Sequence, residues 1–294
     1  MKRIANLVLA AVLAVGVLAG CGGAKESPGN GGQTAQQAPG QNQAQTQEQA
    51  KEPVTLKVGA TVTPHSEILE FIKDEALAEG IKLEIIVFTD YVQPNLALAE
   101  GDLDANYFQH LPYLEKFSEE HGLDLVSVGA IHLEPLGLYS LKLTSLDQLP
   151  DGAKVSIPDD PTNAGRALKL LHDHGLITLK EGVGVEATPN DIAANPKNLK
   201  IEMLQAEFLP RSLQDVDAAV INTNFYLDAE KNLGVKANVL ARESAEGNPY
   251  ANVVAVRRGD ADRPEIKKLV ELLQSEAVAK FIEENYDGAV IPAF

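Results

Sequence analysis

The side chains best able to build a site crowd into one stretch. The chain carries 7 Tyr, 8 Phe and no Trp, and six of these aromatics fall between positions 88 and 117: Phe88, Tyr91, Tyr107, Phe108, Tyr113 and Phe117. The run Thr89 to Leu114, TDYVQPNLALAEGDLDANYFQHLPYL, also holds His110, and its Pro, Gly, Asn and Asp divide it into a short helix, a short strand and a turn. Aromatics at such junctions line pockets that combine apolar walls with a few aimed polar groups. They also fill cores, and residue type alone supports both readings.

Other chemistries have weaker support. The six histidines are His65, His110, His121, His132, His172 and His174. His172 and His174 are two apart in the last turn of an expected helix, so they do not share a face, and a cation there is ordinary. No metal site and no cofactor is expected. Gly182-Val183-Gly184-Val185-Glu186-Ala187 loosely matches a dinucleotide fingerprint, but Thr188-Pro189-Asn190 follows where a capped helix should open. There is no Gly-x-Ser-x-Gly elbow, and pairs such as Glu119-Glu120 and Asp159-Asp160 read as solvated or helix-start charges. Nothing in the chain asks for an enzyme. A net charge of −17, from 25 Lys plus Arg against 42 Asp plus Glu, argues against a nucleic-acid partner.

The single cysteine has a particular place. Residues 1–20, MKRIANLVLAAVLAVGVLAG, begin with Lys2 and Arg3, continue through an apolar stretch from Ile4 to Leu18, and end in small residues, the pattern of an export signal. Cys21 follows directly, and Leu18-Ala19-Gly20-Cys21 resembles the bacterial lipobox, whose cysteine is acylated and becomes the first mature residue. Lipid chains on Cys21 would hold the protein at the extracytoplasmic face of the cell membrane, each buried methylene contributing roughly 0.8 kcal/mol. The acidic body itself would be repelled by anionic head groups. Residues 22–53 contain eight Gln and no Val, Ile, Leu, Met, Phe, Tyr or Trp, the composition of a disordered tether spanning roughly 30 Å.

Elements able to position a site follow from there. Val54–Thr61 and Ile81–Phe88 read as strands around a helix that Thr63-Pro64 opens and Gly80 ends, and Asp124–Ile131 is a further strand. After the turn Leu149-Pro150-Asp151-Gly152, a strand at Ala153–Ile157 leads to a helix opened by Asp160-Pro161-Thr162 and closed by Gly175. Strands are expected at 199–204, 218–222, 237–241 and 251–257, and helices at 264–274 and 276–286. The sum is an α/β body that suggests two lobes, about residues 54–137 with a return at 240–294 and residues 138–239, in the architecture of a solute-binding protein whose lobes close like a hinge on a ligand; an exported α/β hydrolase shares these bulk features, and local motifs must decide.

Several motifs then occur together in order. Asp90-Tyr91, Pro94-Asn95 and the run Gly101 to Leu114 are followed by Leu133 to Ser140 (LEPLGLYS), Ile157-Pro158 with Asn163 and Arg166, Ile221-Asn222-Thr223, and Asn248 to Asn252 (NPYAN). In these the chain, from about Leu56 to its end, resembles the methionine-binding lipoproteins of ABC importers, the NlpA lipoprotein family. The resemblance implies a periplasmic-binding-protein-like (type II solute-binding) fold. It also implies capture of methionine outside the membrane, with preference between the L and D enantiomers left open, and delivery to a permease and its ATPase subunit.

The resemblance assigns residues as well. It places Tyr91, Phe108, His110 and Tyr113 around the methionine side chain, where sulfur–aromatic contacts contribute about 0.3–1.5 kcal/mol. It gives Arg166, Asn222 and Asn252 to the amino-acid backbone. A guanidinium fork in the first turns of a helix suits a carboxylate, so Arg166→Ala is expected to weaken binding and to leave the fold intact. Which amide atom of either Asn faces the ligand is left open, since each can donate or accept. Alternatives are a methionine-containing peptide or another small amino acid on the same fold and, from another class, a zinc-binding or surface-interaction lipoprotein.

Overall fold

The computed structural model describes residues 52–294. The export signal, Cys21 and most of the tether lie outside the described residues. Among the described residues no helix is long and apolar enough to cross a membrane.

Strands run in chain order as β1 (Val54–Thr61), β2 (Ile81–Phe88), β3 (Ala105–His110), β4 (Leu125–Leu133), β5 (Gly137–Ser140), β6 (Lys154–Pro158), β7 (Thr178–Leu179), β8 (Ile192–Ala194), β9 (Lys200–Leu204), β10 (Ala218–Ile221), β11 (Asn238–Arg242), β12 (Ala251–Arg257) and β13 (Ile291–Pro292). The helices are α1 (Glu67–Phe71), α2 (Lys73–Ala78), α3 (Gln93–Glu100), α4 (Leu111–His121), α5 (Pro161–Asp173), α6 (Leu209–Ser212), α7 (Thr223–Leu233), α8 (Pro264–Leu273) and α9 (Glu276–Asn285).

Two mixed sheets divide the body into two lobes. The first has the order β13-β4-β12-β3-β1-β2, and the second β11-β5-β10-β6-β9. In the first, β1 runs parallel to both β2 and β3, while β12 is antiparallel to β3 and β4. In the second, β6 is parallel to β10 and β9, and β5 is antiparallel to β10 and β11. The chain passes between sheets twice, at Glu134–Leu136 after β4 and along 243–250 after β11.

Each sheet is covered on both faces, which is why its central strands are buried along almost their whole length. Leu56, Val58, Ala60, Val254 and Val256 pack with Ile68, Leu69, Ile266, Leu269 and Leu273 on one side of the first sheet. Leu98, Leu114, Val253 and Ala255 fill the other. In the second lobe Val155, Ile157 and Val220 meet Leu168 and Leu171 of α5, while Ala219 and Ile221 meet Leu209 and Phe225.

Two helical regions depart from the expected pattern. The helix expected from Pro64 onward is an irregular turn at Val62–Ser66 followed by α1 and α2, separated at Ile72. The second departure is α4, where the sequence suggested a turn. Pro112 falls in its first turn, where no backbone N–H is needed, and the His110 imidazole accepts from the Tyr113 N–H at 3.1 Å as the cap. The helix stops at Gly122, whose φ of 65° is the left-handed conformation that favours glycine.

The other lobe gets its key helix from an acidic cap. Asp160 accepts from the Asn163 N–H at 2.9 Å with Pro161 at the first position, so α5 starts where the sequence placed it. Gly165 on α5 lies against the backbone of Val185–Ala187, and a Cβ there would sit 2.0 Å from the Val185 carbonyl oxygen. The loose dinucleotide match at 182–187 is therefore a loop laid against a helix.

Candidate ligand-binding site

A tight cavity of about 20 Å³ lies between the lobes, lined by Tyr91, Phe108, Gln109, His110, Tyr113, Glu134, Asn163, Arg166, Asn222, Thr223, Asn224 and Asn252. All seven residues proposed from the sequence line it. A broader, open cleft, including Phe88, Asp90, Phe208, Arg211 and Phe225, shares Asn224 with it. The smaller cavity is the better candidate because buried polar groups converge on it.

The first lobe contributes the aromatic wall. A bulge sets Val253 opposite Gln109 and Val254 opposite Tyr107, leaving Phe108 as the extra residue of β3. This breaks strict alternation and lets Phe108, Gln109 and His110 all reach the cavity. Tyr91 stands 5.8 Å from Phe108 and 5.7 Å from Tyr113, centroid to centroid. The crowded aromatics thus divide between the two roles open to them: Tyr91, Phe108 and Tyr113 line the cavity, whereas Tyr107 is core and Phe117 stacks behind Tyr113.

The lobes meet over this wall. Tyr91 Oη donates to Asn224 Oδ1 at 2.5 Å, and His110 Nε2 donates to Asn163 Oδ1 at 3.0 Å. Burial, reinforced by the nearby Arg166 charge, holds the His110 pKa down at about 3, so the ring is neutral. Its Nδ1 takes the Tyr113 N–H, which leaves the proton on Nε2.

Arg166 sits on α5 and is 3% exposed. Its Nε and Nη2 donate to Glu243 at 2.9 and 2.6 Å, and Nη2 also donates to the Glu134 carbonyl at 2.8 Å. Tyr250 lies under the guanidinium, its ring centroid 4.2 Å from Arg166 Cζ. Nη1 has no hydrogen-bond partner among the described residues. Arg166 therefore ties α5 to both passages between the sheets. The expectation that its removal would leave the fold intact is corrected on this ground: the largely buried Glu243 carboxylate would lose its charged partner and two of its donors, and the Glu134 carbonyl would lose one.

Beneath the cavity lies a network that the sequence reading did not single out. Thr61 Oγ1 is 2.7 Å from His65 Nδ1; His65 Nε2 is 3.0 Å from Asn252 Oδ1 and 3.5 Å from Glu134 Oε1. His132 Nε2 is 2.7 Å from the same Glu134 oxygen, and its Nδ1 bonds the Tyr107 hydroxyl. Glu134 Oε2 accepts the Asn224 N–H of α7 at 2.8 Å. Burial lowers the pKa of His65 to about 4 and of His132 to about 3. Burial also raises that of Glu134, against the pull of His65, the Asn224 N–H and Arg166.

His65, His132 and Glu134 have the composition of a two-histidine, one-carboxylate metal site, with ligand atoms within 4.8 Å of one another. Each of those atoms is already partnered in a hydrogen-bond pattern that closes without an ion. Glu134, Asn163 and Thr223 all stood within motifs noticed in the sequence, but no local signal marked them as cavity residues. Glu134 precedes Pro135 at a passage between sheets, which is the one feature that could have pointed to it.

A model of the NlpA lipoprotein family matches residues 56–294. The methionine-binding lipoprotein MetQ of Bacillus subtilis (strain 168) is 43% identical over 241 residues, which cover 81% of this chain and 87% of the relative. The D-methionine-binding lipoprotein MetQ of Escherichia coli (strain K12) is 41% identical over 244 residues, covering 82% and 89%. Among solved structures, a nutrient-binding protein from Burkholderia cenocepacia bound to methionine is 48% identical with a TM-score of 0.77, the match covering 81% of this chain and 100% of that one.

Proposed function

The chain belongs to the NlpA lipoprotein family, and from that premise we propose that it is the substrate-binding lipoprotein of an ABC importer, capturing methionine between its lobes and delivering it to a permease driven by an ATPase subunit. The family is one of substrate-binding lipoproteins rather than enzymes, and the reading carries that over: the site binds and releases without chemistry. Acylated Cys21 anchors the protein to the outer face of the cell membrane.

The observation that most supports this reading is the sorting of groups around one cavity. Three aromatics and a neutral His110 form an apolar wall for a thioether, while Arg166, Asn222, Asn252 and Glu134 supply polar atoms for an amino-acid backbone. Arg166 Nη1 and the Asn252 amide take the carboxylate. Asn222 Oδ1, buried without a partner, and Glu134 take the ammonium. A cavity of about 20 Å³ between two lobes that must part to admit a ligand suits a single amino acid better than a peptide. Ligand contacts to both lobes favour closure by no more than their differential affinity for the closed state.

Isothermal titration of ligand-stripped protein tests the reading. L-Methionine should bind at one site, and norleucine, which replaces sulfur with a methylene, should bind about 2- to 10-fold more weakly. The same titration with D-methionine sets the stereochemical preference. An absence of binding by either methionine enantiomer would overturn the proposal.

A further inference from the structure

Two asparagines face the cavity with opposite polarity, and the reason for each lies outside the cavity wall. For Asn252 the chain of reasoning starts at Glu134. Its Oε1 lies 3.5 Å from His65 Nε2, and Asn252 Oδ1 lies 3.0 Å from the same nitrogen. A bare lone pair on Nε2 would face a carboxylate oxygen, so Nε2 carries the ring's proton and Thr61 donates to Nδ1. That N–H needs an acceptor from Asn252, which turns the amide oxygen toward His65. Nδ2 is left with no partner among the described residues, in a side chain that lines the cavity.

For Asn222 the chain starts at Asp160. Both of its oxygens accept from Asn163 Nδ2, at 3.1 and 3.0 Å. Asn163 Oδ1 must then be the acceptor for His110 Nε2 and for Asn222 Nδ2, the latter at 2.9 Å. With its nitrogen committed, Asn222 presents an oxygen that is buried and unpartnered.

We infer that two carboxylates set the donor–acceptor pattern of the cavity through intermediaries: Glu134 through His65 makes Asn252 a donor, and Asp160 through Asn163 makes Asn222 an acceptor. His65 and Asp160 are positioning residues. The first relay adds to the rejection of carboxyl-blocked ligands that Arg166 imposes, because a ligand amide has one oxygen for two donors and must set its NH₂ against either the Asn252 NH₂ or the Arg166 guanidinium. The inference rests on the proposed methionine site and names the chemistry that selects a free amino acid there.

The test compares L-methionine with L-methioninamide on the full-length chain, purified in detergent and stripped of ligand. In the wild type the amide should bind at least about 30-fold more weakly, because it lacks the charge that Arg166 pairs and also faces a buried donor. His65→Leu frees the Asn252 amide to turn its oxygen to the ligand, so this ratio should fall about 5- to 10-fold, to the part that Arg166 alone imposes, through weaker methionine binding and stronger amide binding. His65→Gln, which restores an N–H toward Asn252, should bring the ratio back. A merely structural His65 would weaken both ligands alike and leave the ratio in place, and that result overturns the relay.

Asp160→Asn should in parallel reduce discrimination against the 2-hydroxy analogue of methionine while leaving the amide ratio unchanged. Loss of both ratios together would show a general loosening and count against separate relays. If His65→Leu does not fold, His65→Gln decides alone: a similarly lowered ratio in a variant melting like the wild type refutes the inference. A wild type that binds no methionine sinks the functional reading itself, whereas methionine binding with an unchanged ratio in His65→Leu sinks the relay only.

Discussion

Removing Arg166 should damage both the fold and the site, and the two effects can be separated. In Arg166→Ala, Glu243 loses two donors at 2.9 and 2.6 Å but keeps the Leu136 N–H at 2.9 Å and Asn248 Nδ2 at 3.2 Å. Its side chain is only 12% exposed, so little water can replace the guanidinium. Breaking a buried pair from one side costs about 3–5 kcal/mol, and the surviving bonds place this case at the low end, about 3 kcal/mol. For a body of this size that lowers Tm by about 6–12 °C. Glu243→Gln added to Arg166→Ala should recover part of the loss, because the uncompensated charge is gone; a double-mutant cycle gives the coupling. Calorimetry reads this arm. Titration with methionine well below Tm reads the other, where losing the ligand carboxylate's partner should weaken binding roughly 30- to several-thousand-fold. A lowered Tm with unchanged affinity would make Arg166 a tie between the lobes and nothing more. Unchanged Tm and unchanged affinity would refute both halves of the reasoning.

Three other outcomes are expected. Gly165→Ala drives a methyl into the Val185–Ala187 backbone, which cannot yield as a side-chain tip can, and should cost about 1–3 kcal/mol by overpacking; a wild-type melting curve would contradict it. Acid should destabilise the protein: His65, His110 and His132 have pKa values lowered from 6.5 to about 4, 3 and 3 by burial. The unfolded chain therefore binds more protons as pH falls below 6.5, and stability present above 6.5 is lost progressively down to about pH 4 for His65 and about pH 3 for His110 and His132, on the order of 3 kcal/mol for the first and about 5 kcal/mol for each of the others when complete. Glu134 and Asp160, raised by burial, act with the opposite sign, but three sites outweigh two, and calorimetry at pH 7 and pH 5 should show a lower Tm at pH 5. Tyr91→Phe deletes the 2.5 Å bond to Asn224 that joins the lobes and should speed ligand release, weakening binding about 2- to 10-fold; an unchanged off-rate by stopped flow would remove that bond from the closure.

Local patterns announced what depends on local physics. β1, β2 and β12 begin and end where apolar runs meet turn residues, and α5 starts at Asp160-Pro161 because that pair caps a helix anywhere. α4 was missed because Pro112 and the aromatics around it read as a turn, and only the folded chain shows the His110 ring closing the first turn. The Arg166–Glu243 pair was hidden by its 77-residue separation. The polarity of Asn222 and Asn252 was equally illegible, since an amide's direction is decided by Asp160 and Glu134, which reach those asparagines only through Asn163 and His65. The seven residues named in advance came from the family resemblance joined to chemical type; spacing alone would have left Tyr107 and Tyr113 indistinguishable, though one is core and the other faces the cavity.

The central claim, that the cavity between the lobes is a methionine site, is tested most directly by what the protein carries. The full-length chain is purified in detergent without added amino acids, its bound contents are released by denaturation, and the small molecules are identified and counted by mass spectrometry. Methionine released at about one equivalent per chain is the predicted result, with a thermal shift when methionine is returned to refolded protein. No methionine in the released material and no shift on adding it would contradict the account.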